Sequence, residues 1–354
     1  MDREILLLPG DGIGPEISSA TARVLRHAVE AIGAPLMLAE MAVGEVSLAA
    51  EGSTLPDAVL DAIPGAAGVI LGPVSHYSYP VGQPNPSALL RTRFDLYANI
   101  RPCRSRAGLG VLRSPMDLII VRENTEGFYA DRSMFMGPGE FMPDPDSAFA
   151  LRKVTSKAVR RVARAACTIA QGRRGTVTAV HKANVLKLTD GLFLREVRAV
   201  AAEFPDITLD EVIVDAAAAL LIRTPERFDV IVTTNMFGDI LSDEASELTG
   251  GLGLGGAINM GEGICIAQAQ HGSAPDIAGR DIANPTSLIL STAMLIDWMA
   301  RRDGNATLAA TARAIEQAIE TVLADPSSRT RDIGGTMGTT AFAEAVCAAI
   351  GTAA

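Results

Sequence analysis

The sequence of 354 residues is short of cysteine, of aromatic side chains and of positive charge, and each shortage argues against a class of function. Its four cysteines, Cys103, Cys167, Cys265 and Cys347, are widely separated, form no CxxC pair and have no neighbouring histidine. That pattern argues against a zinc cluster or a disulfide framework and suits a reducing cytoplasm. Acidic residues outnumber Lys and Arg by 41 to 31, a formal net charge of −10, and no stretch interleaves basic and aromatic residues as a nucleic-acid face would. Nucleic acid and anionic membranes are therefore not expected partners. The N-terminus supplies only four consecutive apolar residues, Ile5 to Leu8, so neither a signal peptide nor a membrane span is expected, and localisation is expected to be cytoplasmic. No internal repeat or low-complexity tract stands out.

What is present is apolar content, 48% of residues, in a chain long enough for two domains. Short unbroken apolar runs recur at Ile5 to Leu8, Gly68 to Leu71, Asp117 to Val121, Val177 to Val180 and Asp229 to Val232. Runs without alternation predict strands covered on both faces, hence a largely parallel sheet. Between them, Pro15 to Ile32, Lys157 to Gln171, Asp190 to Phe204, Pro285 to Arg301 and Ala306 to Leu323 carry helical periodicity. The fold class is α/β. Asp131 to Ala150 breaks the pattern, with a Gly-Pro-Gly turn between two apolar clusters. It reads as a hairpin needing cover from a partner, or as an ordinary packed loop.

Two glycine motifs imitate dinucleotide fingerprints. In PGDGIGPE (Pro9 to Glu16), Pro15 stands where GxGxxG requires glycine. Gly251, Gly253 and Gly256 match the spacing but follow no strand and open no helix, so they read as a connection. HGSAPDIAG (His271 to Gly279) is the better cofactor candidate. Gly272 and Ser273 can offer backbone N–H groups to phosphate, and Asp276 can accept ribose hydroxyls while repelling a 2′-phosphate, which favours NAD over NADP.

Asp239 and Asp243, four apart in a segment that reads as a helix opening, share one face, with Asp215 upstream in VIVDAAAALLI. The pair alone is compatible with a solvated acidic face or with a Mg2+ or Mn2+ site, since hard cations take oxygen ligands. Arg91, Arg101 and Arg122 are either scattered surface residues or guanidinium forks for a di- or tricarboxylate. Tyr129 offers a phenol, and Lys182 offers an amine that becomes a general base when desolvated or set beside other cations. Metal, base, acid and anion clamps together suit oxidation of a hydroxyl next to a carboxylate, followed by loss of CO2.

LPGDGIGPE, LRTRFDLYANIRP, VRENTEGFY, HKANVLKLTDGLFL, TTNMFGDILSDEASELTGGLG and HGSAPDIAGRDIANP stand in the order of one family, over essentially the whole chain. On these motifs the sequence resembles the β-decarboxylating dehydrogenases, which act on isocitrate, homoisocitrate, 3-isopropylmalate and tartrate or malate. The resemblance implies a non-Rossmann fold of two domains flanking a cleft. Residues 1–98 with 251–354 would form the large cofactor domain, and residues 99–250 the small domain with the dimer interface and a clasp arm at about 131–150. It also implies that Arg91, Arg101 and Arg122 hold substrate carboxylates and that Asp239 and Asp243 bind Mg2+ or Mn2+. Lys182, as base, and Asp215, as a third metal ligand, would come from the second subunit of a homodimer, with Tyr129 as proton donor. His271, Gly272, Ser273, Ala274, Asp276, Ile277 and Asn284 would contact the cofactor, NAD.

Substrate choice rests on the segment before Arg91. Isopropylmalate enzymes place two leucines four and three residues before that arginine, where this chain has Ser87 and Ala88. Isocitrate enzymes place serine six and asparagine four before it, and here the same types are exchanged as Asn85 and Ser87, both of which can donate hydrogen bonds to a third substrate carboxylate. His76, Tyr77 and Tyr79 add further donors. A tricarboxylate, isocitrate or homoisocitrate, is the expected substrate, with 3-isopropylmalate and tartrate or D-malate as alternatives. Some relatives are non-catalytic regulatory subunits, but these typically lack the tyrosine, lysine or aspartates that this chain retains.

Overall fold

The apolar runs become strands close to their expected bounds. In the computed structural model, which describes residues 3–351 apart from 107, 114, 130–135, 137 and 138, β1 (Arg3–Leu8) leads through α1 (Gly14–Ile32) to β2 (Leu36–Glu40). Next come α2 (Glu45–Glu51), α3 (Asp57–Ala62), β3 (Gly68–Leu71), α4 (Pro86–Arg93), β4 (Ala98–Arg104) and β5 (Asp117–Glu123). A two-stranded arm, β6 (Glu140–Asp144) and β7 (Ser147–Ala150), precedes α5 (Ser156–Gln171) and β8 (Thr176–His181). Then follow α6 (Thr189–Ala201), β9 (Thr208–Ile213), α7 (Val214–Arg223), β10 (Val230–Thr233) and α8 (Asn235–Leu248). β11 (Ile258–Met260), β12 (Cys265–Gln268), α9 (Thr286–Asp303), α10 (Ala306–Ala324) and α11 (Thr339–Gly351) complete the described elements. The helix expected to reach Phe204 stops at Ala201, because Pro205 disfavours helical geometry at the residue before it.

Among the described residues one sheet runs β2-β1-β3-β12-β11-β4-β5-β10-β8-β9. Its two flanks are parallel, as expected, but the middle is not: β12 with β11, β11 with β4, and β4 with β5 are antiparallel. The sheet is therefore mixed rather than uniformly parallel. Both faces are covered. Ile5 and Leu7 of β1 pack toward α1, α9, α10 and α11, while Leu6 and Leu8 face a second core that includes Val59 of α3 and Leu90 of α4. On the other flank Val177, Ala179 and Val230 pack with α5 and α6, whereas Val180 and Ile231 face α7 and α8. Period-two alternation with both sides apolar explains why these strands read as continuous runs.

Gly251 to Gly256 link α8 to β11, as a connection should. In the first turn, Gly12 has φ +57°, and a Cβ there would lie 2.0 Å from the Ser273 carbonyl oxygen. That glycine serves close packing of two loops. The arm turns at Pro145 and Asp146, and Phe141 stacks on Phe149 across it with centroids 5.2 Å apart. The first half of the expected hairpin, including Gly137 and Pro138, lies outside the described residues apart from Met136 and Gly139. No described helix is long and apolar enough to cross a membrane.

Candidate active site

Antiparallel pairing sets Asn99 of β4 directly opposite Arg122 of β5, and Arg101, two residues along, projects on the same face. The helix laid over that face is α8, which opens straight out of β10 and presents Asn235, Asp239 and Asp243 at successive fourth positions. Arg122 donates through Nε and Nη2 to Asn235 Oδ1, at 3.0 and 2.6 Å, and through Nη1 to Asp239. Arg101 reaches Asp243 at 3.1 Å, Asp239 at 3.4 Å and Ser242 Oγ at 2.7 Å. The helix sits this close because residue 238 is glycine: a Cβ there would lie 2.7 Å from Arg122 Cβ.

These are not surface arginines: Arg101 is 6% and Arg122 3% exposed. Burial, and then the neighbouring Arg101 charge, bring the Arg122 pKa down to about 10, with Asp239 opposing. Burial raises the Asp243 carboxyl above the usual range, and Asp239 adds to it while Arg101 opposes. Both aspartates keep part of their surface open, and their oxygens are the donor chemistry a hard divalent cation takes. Among the described residues of one chain, no three His, Cys, Asp or Glu side chains gather closely enough to hold an ion.

Arg91, Arg101, Arg122, Tyr129 and Asp239 converge on one cavity of about 330 Å3. Asn85, Ser87, Ala88, His76, Tyr77, Gln268, Gln270, His271 and Gly272 also line it. Asn85 caps α4, its Oδ1 accepting from Ala88 N at 3.3 Å, and Ser87 donates to Gln268 Oε1 at 3.1 Å. Tyr79, expected to face the ligand, instead donates its hydroxyl to buried Asp11; burial, and then that carboxylate, raise its pKa. Asp11 also accepts from Glu45 N at 2.6 Å and Ser75 N at 2.8 Å, so the GDGIG turn anchors the wall carrying His76 and Tyr77.

The HGSAPD loop crosses that same turn: Ser273 O accepts from Ile13 N at 2.8 Å, and Ser75 donates to Ser273 Oγ at 2.9 Å. His271 Nε2 is buried with no hydrogen-bond partner, a donor or acceptor left over at the cavity wall. Burial lowers its pKa and favours the neutral ring. Ala274 holds φ +35°, and Asp276 is exposed in the short turn Pro275–Ile277. Those features fit a dinucleotide contacting the loop. Asn284 is already engaged, with Nδ2 donating to Asp332 Oδ2 at 2.9 Å.

Lys182 and Asp215 lie elsewhere in the same chain, after β8 and at the start of α7, and pair with each other. Lys182 lowers the Asp215 pKa by hydrogen bonding. Buried Asp190 accepts from Lys182 N and pairs with Arg152, which fixes the lysine loop. The site thus includes groups the motifs did not single out: Asp11, Asn99, Asp190, Ser242, Asn259 and Gln268. For Asn99, Asn259 and Gln268 the signal was a polar residue within a short apolar strand, as in ANIRPCR and CIAQ.

The family model described as isocitrate/isopropylmalate dehydrogenase matches residues 4–346. The isocitrate/homoisocitrate dehydrogenase of Thermus thermophilus is 43% identical over 352 residues, covering 99% of both chains. The 3-isopropylmalate dehydrogenase of Methanothermobacter thermautotrophicus is 40% identical over 338 residues, covering 95% of both. A crystal structure of isocitrate dehydrogenase from Methylococcus capsulatus aligns with a TM-score of 0.86 at 40% identity, covering 99% of each chain. Matches of that extent, with the fold and the arginine-lined cavity described above, show that the chain belongs to the isocitrate/isopropylmalate dehydrogenase family and is an enzyme of its β-decarboxylating class.

Proposed function

We propose that this enzyme uses NAD and Mg2+ or Mn2+ to oxidise and decarboxylate a 2-hydroxy-3-carboxy acid, isocitrate or homoisocitrate. The observation that carries this reading is the convergence of Arg91, Arg101 and Arg122 on one cavity whose wall is mostly polar, with Pro73, Val74, Ala88 and Ala269 as its apolar members. Guanidinium forks suit a substrate with several carboxylates, and the serine and small alanine at Ser87 and Ala88 make a poor apolar pocket for an isopropyl group. The name of the Thermus relative agrees with that choice.

In this reading the arginines fix the substrate so that its hydroxyl faces the Asp239 and Asp243 carboxylates. Bound NAD would accept the hydride, and the divalent ion would stabilise negative charge developing on the substrate oxygen. Lys182 Nζ takes the hydroxyl proton, the 3-carboxylate leaves as CO2, and the Tyr129 hydroxyl returns a proton to the carbon it left. His271, Gly272, Ser273, Ala274, Asp276, Ile277 and Asn284 border the cofactor, and Asp276 disfavours a 2′-phosphate.

Lys182 and Asp215 reach this cavity from a second copy. The elements that carry the two half-sites also carry exposed apolar side chains: Val185 and Leu188 beside Lys182, Ile222 on α7, and Ile240 between the two aspartates. Such a face is suited to self-association. The exposed Phe141, Met142 and Phe149 of the arm suit a clasp between copies. The cleft then divides a large domain, residues 1–98 with 251–354, from a small one, residues 99–250.

The test is NADH or NADPH formation at 340 nm with Mg2+ and a panel of isocitrate, homoisocitrate, 3-isopropylmalate, tartrate and D-malate. Turnover of a tricarboxylate with NAD is expected. Activity confined to 3-isopropylmalate, or a preference for NADP, would overturn the substrate or cofactor assignment respectively.

A further inference from the structure

A line of buried amides crosses the middle of the sheet and joins two of the three arginines. Arg101 Nε donates to Asn99 Oδ1 at 2.6 Å, and Asn99 Nδ2 donates to Asn259 Oδ1 at 3.1 Å. Asn124 Nδ2 donates to the same Asn259 oxygen at 3.0 Å, and Asn259 Nδ2 continues to Gln268 Oε1 at 3.3 Å. At Gln268 the line meets the cavity: Ser87 Oγ donates to the same oxygen at 3.1 Å and Arg91 Nη2 at 3.4 Å. Asn99, Asn124 and Asn259 are 1–2% exposed, so the chain of dipoles is closed to water.

The direction of every bond in this line is fixed by chemistry. A guanidinium only donates, so Asn99 must turn its oxygen to Arg101 and Gln268 its oxygen to Arg91. Two consequences follow at the cavity. Ser87 spends its hydroxyl hydrogen on Gln268 Oε1, leaving lone pairs, which a carboxylate does not want. Gln268 Nε2 makes no hydrogen bond to the described residues, and Gln268 lines the cavity, so this N–H2 is the neutral donor next to Arg91. Because Gln268 meets Arg91 as an uncharged acceptor, that contact aims the guanidinium without cancelling its charge.

We propose that Gln268 is a specificity-determining residue: its Oε1 positions Arg91 and Ser87, and its Nε2 donates to the distal carboxylate of a tricarboxylate substrate. This rests on the substrate class proposed above. Gln268→Glu removes the donor, sets a carboxylate where the substrate's would bind, and pairs with Arg91. Gln268→Met removes donor and acceptor at similar length. The expected result is a rise in KM for isocitrate of about tenfold or more for Gln268→Glu and several-fold for Gln268→Met, with kcat within about threefold. Tm should hold in Gln268→Glu, whose carboxylate still accepts from Asn259, and fall in Gln268→Met, which strands that buried amide. Isocitrate binding with Mg2+, measured by calorimetry, should weaken in parallel. Unchanged KM and binding in both variants, or a loss of kcat and Tm at constant KM, would overturn the role of Gln268. Wild-type binding without turnover would instead defeat only the proposed reaction, and absence of both isocitrate and homoisocitrate binding by the wild type would defeat both.

Discussion

The parallel flanks of the sheet and its antiparallel middle are built to opposite rules. In the flanks, Val230, Ile231 and Val232 of β10 are all completely buried and apolar, and so is every residue of β3 apart from Gly68. In the middle, Asn99, Arg101, Arg122, Asn259 and Gln268 occupy strand positions, four of them nearly as buried. Flank strands gain from apolar area removed from water, and any one contact is replaceable in kind. Middle strands bury charges and amides that are tolerable only when each finds a partner. The difference predicts that damage in a flank lowers stability alone, whereas damage in the middle lowers turnover and, where it strands a buried partner, stability as well.

The sharpest break is Asp239→Asn, which removes a carboxylate facing Arg122 and Arg101. Turnover should drop by about a hundredfold or more with little change in Tm, as measured by steady-state rates and calorimetric melting. Mixing that variant with Lys182→Met extends the test to the second copy. If Lys182 serves the partner's cavity, dissociated and reassembled mixtures regain about a quarter of wild-type activity, because half the dimers are mixed and each holds one intact site. No recovery would place the lysine and aspartate functions in one chain.

The opposite break is Ile231→Ala in β10, a fully buried residue whose neighbours in register are Ile120 and Thr178. It should cost about 2–5 kcal/mol in chemical denaturation while kcat per folded molecule stays within about twofold. A large kinetic effect would show that the flank also tunes the site.

The same contrast decides what could be read from sequence. Ile5 to Leu8, Gly68 to Leu71 and Val177 to Val180 announced their strands because burial on two faces leaves an unbroken apolar run. β4, β11 and β12 were not anticipated: their apolar runs are cut by the asparagines, arginine and glutamine that serve the cavity. Arg91, Arg101, Arg122, Tyr129 and Asp239 were legible through motifs, and the structure brings them together. Asn259 and Gln268 were not, because amides carry no charge pattern and their role appears only when three strands align. Tyr79 was misread toward the ligand, since the carboxylate it meets, Asp11, is 68 residues away in sequence.

Gly238→Ala probes the seam between the regions more gently. The added methyl would meet Arg122 Cβ at 2.7 Å, backed by the packed strand β5. Either α8 lifts or Arg122 turns, and both move the aspartates relative to the arginines. A misplacement of that size should lower kcat/KM by about tenfold or more while costing about 1–3 kcal/mol of stability. If stability falls and kcat/KM holds, the closeness of α8 serves packing alone.

The smallest effect belongs to the flank far from the cavity. Glu196 of α6 is 3% exposed, and Arg195, then Arg160, hold its carboxyl down to about 2, well below its ordinary value. A depressed folded-state pKa means that the unfolded chain binds the proton more readily, so this pair stabilises above the ordinary carboxyl range. The contribution is lost as pH falls from about 4.5 toward 2, where the folded carboxylate also protonates. Both arginines lie largely in solvent, which screens them, so the contribution is about 1 kcal/mol or less. Glu196→Gln should therefore lower Tm modestly at pH 7, and the gap to the wild type should narrow steadily in melts taken from pH 5 to pH 3. A gap independent of pH would mean that Gln fails by shape rather than by charge, and the flank would then be more like the middle than its apolar strands suggest.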